Sequence, residues 1–101
     1  MKVKIPFYAR FKEPLLNGTK TWTSRTKRYG KIGDTFDAFG ATFAITDIKH
    51  WHLSFVTNHW KEEGCESRED FIQLWQKIHP RKGYDPYQQV YVHIFRRMTK
   101  I

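Results

Sequence analysis

The chain has 101 residues, which is room for one hydrophobic core and too few for two. Its 40% hydrophobic and 17% aromatic content, with only six glycines and four prolines, excludes a disordered or low-complexity polymer. A single cysteine, Cys65, excludes an intrachain disulfide and a cysteine-built zinc cluster. The net charge of +8 lies in residues 1–32, where Lys2, Lys4, Arg10, Lys12, Lys20, Arg25, Lys27, Arg28 and Lys31 face one acid, Glu13, while the remainder is balanced.

That asymmetry suits an anionic partner such as RNA or a nucleotide phosphate; a solvated basic surface is the ordinary alternative, and charge alone does not separate the two. Met1 to Pro6 lacks the apolar stretch of a signal peptide, and no run approaches the roughly 18–20 apolar residues of a membrane span. The expectation is a cytoplasmic protein, one domain over residues 1–101, with no membrane contact and no obligate protein partner.

In chain order, Val3 to Ala9 reads as a strand by alternation, placed at an edge or bulge by Pro6. Pro14-Leu15-Leu16-Asn17-Gly18 reads as a short helical turn with a left-handed stop at Gly18. Thr19 to Thr26 is β-prone, a basic loop follows, and Gly33-Asp34 marks a turn. Thr35 to Phe39 and Thr42 to Ile48 alternate around Gly40-Ala41, predicting a hairpin whose second strand extends through His50 and Trp51.

A helix opens at Ser67 with Asp70 three places on, and Phe71, Leu74, Trp75 and Ile78 share one face. It should end near His79-Pro80, because proline disfavours helical geometry in the residue before it. Val90 to Phe95 is the last strand. Strands at both ends with one strong helix between them predict an α+β fold, an antiparallel or mixed sheet curled into a small barrel with helices beside it.

For chemistry, His50 and His52 share a strand face, but no third ligand stands at a familiar spacing, so the sequence implies no metal and no cofactor. The aromatic residues between Trp51 and Trp60 suit core-rim packing or base stacking. Cys65 precedes a helix start without an assignable base, and reads as a small semi-buried residue.

Lys20, Thr23 and Arg25 are more suggestive. Metal-free amide hydrolysis needs a nucleophile, a base and an acid. A threonine hydroxyl serves if a lysine, its pKa lowered by burial or by a neighbouring cation such as Arg25, takes the proton. Residues three apart on a regular strand face opposite ways, so Lys20 and Thr23 cooperate only if the chain turns between them. A Thr-rich edge strand with solvated cations is the plain alternative. Glu62-Glu63-Gly64 is a candidate source of the carboxylate; Glu66, Glu69 and Asp70 fit the favourable electrostatics of a helix start, and Glu63 fits that account less well.

Gly18-Thr19-Lys20-Thr21-Trp22-Thr23-Ser24-Arg25, then Gly33-Asp34, then Glu63-Gly64 before Ser67, then Val90 to Phe95, together resemble an ASCH domain of the PUA-like superfamily from about Phe7 to Phe95. The resemblance implies a small mixed β-barrel flanked by helices, with a cleft for a nucleobase. Its short bacterial members are N(4)-acetylcytidine amidohydrolases. On that match Lys20 is the general base, Thr23 the nucleophile and Glu63 the acid, with Arg25, Thr21 and Trp22 assigned to the substrate, an acylated cytidine nucleoside or RNA. The longer connection from Lys77 to Pro86, Trp22 and the aromatic stretch from Trp51 to Trp60 resemble instead a branch assigned RNA binding or ribonuclease activity. The expected function is therefore an amidohydrolase, with an RNA- or modified-nucleotide-binding module as the alternative.

Overall fold

The computed structural model describes residues 1–98. A 3-10 turn (Ala9–Phe11) runs into α1 (Lys12–Leu16), followed by β1 (Trp22–Arg25), β2 (Thr35–Ala38), β3 (Ala41–His52), α2 (Leu53–Thr57), α3 (Arg68–Ile78) and β4 (Gln89–Arg97). The strands form one antiparallel sheet in the order β1-β4-β3-β2, curled into a half-barrel with the helices packed against it. The α+β class stands as expected.

The curl has a local cause. Ile45 pairs with Phe95 and Asp47 with Ile94, so Thr46 is an extra residue without a partner across the ladder. Such a bulge bends the strand and increases its twist. The bent β3 is long enough to pair with β2 at one end and to lead into α2 at the other.

At the β2–β3 turn Phe39 and Gly40 both have positive φ, 51° and 82°. Two left-handed residues in succession match the twist of the flanking strands, and Ala41 is already paired with Ala38. The turn thus sits one residue before the expected Gly40-Ala41. Beneath the sheet, the rings of Phe36, Phe43 and Phe95 meet with centroids 5.2–5.5 Å apart, and Ile45, Leu53, Val56, Val90 and Val92 complete the buried core.

Two expectations are corrected. Val3 to Ala9 is not a strand: Lys2 makes one parallel bridge to Thr35, Val3 N–H donates to the Thr35 carbonyl at 2.7 Å, and the chain then leaves the sheet. Pro6 has no N–H for a ladder, and its carbonyl accepts from Arg25 instead. The second correction is α2, a single five-residue turn that buries Leu53, Val56 and Thr57. So short a helix cannot display a 3.6-residue period, which is why the pattern did not reveal it.

The long helix forms where expected. The Ser67 hydroxyl accepts from Asp70 N–H at 3.0 Å, and the helix stops before His79-Pro80. Phe71 and Trp75 are buried, Leu74 is half-buried and Ile78 is exposed. An ion pair between Arg10 and Asp70 ties the N-terminal turn to the first turn of this helix, and it brings two walls of a cavity together. No helix among the described residues is long and apolar enough to cross a membrane.

Candidate active site along the edge strand

A cavity of about 440 Å³ runs past the edge strand β1. The N-terminal segment supplies Phe7 and Tyr8, β1 supplies Thr23, Ser24 and Arg25, and α3 supplies Trp75, with His79 just past its end. Lys20, Glu63 and Cys65 line it as well. Because β1 has a neighbour on one side only, Thr23 and Ser24 both reach this space although consecutive side chains of a strand point to opposite faces.

Lys20 is held just before β1. Gly18, at φ +83°, ends the α1 turn, and Lys20 N–H donates to the Pro14 carbonyl at 2.9 Å. The side chain is buried, and Nζ donates to the carbonyls of Trp22 and Glu63, both at 2.6 Å, with Glu63 Oε1 at 3.7 Å. Nζ also lies 4.4 Å from the centroid of the Phe11 ring. Burial pulls the Lys20 pKa below the ordinary lysine value; the Glu63 carboxylate opposes this, and Arg25 adds a smaller push in the same direction as burial. A neutral amine has two hydrogens and one lone pair. With both hydrogens engaged by carbonyls, the lone pair is what remains to accept a proton.

Glu63 is brought in by a tight turn. The Glu62 carbonyl accepts from both Thr21 N–H and Trp22 N–H at 2.9 Å, clamping the turn to the start of β1. Gly64 follows at φ +83°, and a Cβ there would lie 2.8 Å from Lys20 Cβ. Only glycine permits both the left-handed backbone and this close approach. Glu63 is itself buried, and its Oε2 accepts from Ser24 Oγ at 2.7 Å.

Thr23 is buried, and its Oγ1 accepts from Arg25 Nε at 3.1 Å, which leaves the hydroxyl proton free to be given elsewhere. Arg25 is anchored in turn by the Pro6 carbonyl at 2.6 Å and lies over the rings of Phe7 and Tyr29, 5.1 and 5.7 Å from their centroids. Behind Thr23, His93 is fully buried. Its Nε2 accepts from Tyr29 N–H at 2.9 Å, so Nδ1 carries the proton and donates to the Thr23 carbonyl at 3.1 Å. Burial holds the His93 pKa below the usual histidine value, consistent with this neutral tautomer.

Lys20, Thr23, Arg25 and Glu63 are thus brought to one cavity, as the expected roles require. Thr21 and Trp22 are not. Thr21 is held by backbone bonds to Glu62 and Phe95, and the Trp22 ring packs on Trp51 and His59, with centroids 5.5 and 4.9 Å away. Neither lines this cavity, so the structure does not bring them together with the other four. Cys65 lines the cavity, but burial pushes its thiol up to about 11, which keeps it protonated and a poor nucleophile at neutral pH. His50 stacks on Tyr91 at 4.4 Å.

Sequence reasoning missed Ser24 and His93. Nothing in a Thr-Ser-Arg string singles out the serine, because its partner lies 39 positions away. His93 left a signal: it is the one polar ring in the apolar run from Val90 to Phe95, and a continuous run of that kind reads as a strand buried on both faces.

No family model matches the sequence, and no curated protein does. Solved structures do. The hypothetical protein PH0355 superposes with a TM-score of 0.72 at 15% identity, over 97% of this chain and 100% of that one. An ASCH domain from Lactobacillus crispatus JV V101 superposes with a TM-score of 0.66 at 10% identity, over 95% of this chain and 78% of its own. The chain has the ASCH fold. A protein from Pyrococcus furiosus, known from its solution structure, shares that fold with a TM-score of 0.66 at 15% identity, over 99% of this chain and 100% of its own. At these identities the likeness is one of ASCH fold alone.

Proposed function

We propose that this ASCH-fold protein is an amidohydrolase that removes the acyl group from N(4)-acetylcytidine-type nucleosides without a metal ion. The observation that carries the reading is a buried Lys20 amine, its proton affinity lowered by burial, on the same cavity as the Thr23 hydroxyl and the Glu63 carboxyl. The aromatic walls, Phe7, Tyr8, Tyr29 and Trp75, suit a planar base.

The chemistry balances as follows. Thr23 Oγ attacks the acetyl carbonyl while its proton passes to the neutral Lys20 amine. The C–N bond breaks as the cytosine N4 takes the proton of a protonated Glu63, leaving an acetyl ester on Thr23. Water then attacks the ester and gives a proton to the Glu63 carboxylate, and the Thr23 oxygen recovers its proton from Lys20. Acetic acid and cytidine are the products. The Arg25 guanidinium on Oγ1 favours the negative charge that develops on that oxygen during attack.

The test is acetate release from N(4)-acetylcytidine by purified protein without added metal. Release that is lost in Thr23→Ala supports the reading; no release, or undiminished release in Thr23→Ala, overturns it.

Binding of RNA or a modified nucleotide is the second reading, favoured by Arg25 and Lys27 at the cavity, both over the Tyr29 ring. It predicts RNA affinity that falls steeply with salt as phosphate contacts release counterions. Cleavage of that RNA on a gel would add the ribonuclease variant of this reading.

A further inference from the structure

The cavity holds two buried hydroxyls with different partners, and the hydrolytic reading uses only one. Thr23 Oγ1 accepts from a guanidinium, whereas Ser24 Oγ donates to the carboxylate of Glu63 at 2.7 Å. Ser24 and Glu63 are 91% and 96% buried, and both line the cavity. Their bond completes a cluster in which Lys20 Nζ holds the Glu63 carbonyl at 2.6 Å and lies 3.7 Å from Oε1, the other carboxyl oxygen.

Resting on the amidohydrolase reading, we infer that Ser24 is the positioning residue for the acid: by donating to Oε2 it confines the carboxyl proton of Glu63 to Oε1 and steadies the carboxylate once that proton has gone to the leaving nitrogen.

The argument is one of hydrogen-bond inventory. An oxygen that accepts the Ser24 hydrogen at 2.7 Å is disfavoured as the bearer of a second hydrogen pointing along the same line. The carboxyl proton therefore sits on Oε1, the oxygen on the Lys20 side of the group. After N4 has taken it, the charge left behind retains the Ser24 donor, and a buried carboxylate without a donor is strongly disfavoured. Ser24 gains and loses no proton over the cycle. Its effect falls on the two steps that use Glu63, departure of the amine and proton transfer from the attacking water, while Thr23 and Lys20 act on the attack.

Absence from the acylation of an activated ester makes the role separable from simple packing. A 4-nitrophenolate leaves without being protonated, so the initial burst of nitrophenolate from 4-nitrophenyl acetate, which reports acylation alone, needs the nucleophile and not the acid. We expect Ser24→Ala to lower kcat on N(4)-acetylcytidine about tenfold, with KM unchanged within about twofold, and to lower the burst rate by less than about twofold. Ser24→Thr, which keeps the hydroxyl, should restore the amide activity.

Equal losses in the amide kcat and in the burst rate, or no loss on the amide, would overturn the inference while the amidohydrolase reading survives in an active wild type. A wild type inert towards N(4)-acetylcytidine sinks the hydrolytic reading and this role of Ser24 together.

Discussion

The two ends of the sheet bury different things. Towards β2, the interior is hydrocarbon: Phe36 and Phe43 stack, and Phe95 meets both edge-on, beside Ile45. Towards the edge strand β1 the buried residues are Lys20, Thr23, Ser24, Glu63 and His93, each of them hydrogen-bonded. The first kind of burial stabilises by removing apolar surface from water. The second gives back most of its attraction in desolvation. The contrast teaches that one end of this sheet holds the molecule together while the other keeps an amine, two hydroxyls and a carboxyl out of water.

Breaking each end should therefore damage a different property. The largest effect is expected from Lys20→Met, which should lower N(4)-acetylcytidine hydrolysis by on the order of 10³-fold while the protein stays folded by circular dichroism. Phe36→Ala should do the reverse: about 3–5 kcal/mol of stability lost in urea unfolding, with activity per folded molecule retained. Gly64→Ala joins the two properties, because its Cβ would meet Lys20 Cβ at 2.8 Å on a left-handed backbone. A loss of about 1–3 kcal/mol is expected, with activity falling by more than unfolding explains.

A pH series sharpens the same contrast. The folded Lys20 pKa lies below its ordinary value of 10.5, so between the two values the unfolded chain binds the extra proton, and stability rises with pH across that window. The rise should be smaller in Lys20→Met when urea midpoints are compared from neutral pH upward. The rising limb of the pH–activity profile should report Lys20 losing its proton and be complete below pH 10.5. The smallest effect is the α3 cap, far from either end: Ser67→Ala should cost about 1 kcal/mol in thermal unfolding and leave turnover unchanged.

Local features were legible in the chain. The α3 cap at Ser67, the apolar face with Phe71 and Trp75, the hairpin around Gly40 and the stop at Gly18 are each written within a few residues of where they act. Val3 to Ala9 misled because alternation persists in a segment that packs its side chains and still forms no ladder. At the site, Lys20, Thr23, Arg25 and Glu63 were found through the order of their motifs, while Thr21 and Trp22 were assigned by proximity in sequence and face elsewhere.

What the sequence by itself determined is the local devices that shape the backbone, such as the Ser67 cap, the stop at Gly18 and the turn at Gly40, for these depend on neighbours a few positions away. Only the tertiary structure decided that Lys20 is buried against the Glu63 turn 43 positions later, that Ser24 rather than Thr23 holds the carboxylate, and that His93 braces the strand from behind. The physical reason is burial. The acidity of an amine and the partner of a hydroxyl are set by what closes over them, and here that closure comes from the N-terminal segment, the turn at Gly64 and α3, which meet only in the folded chain.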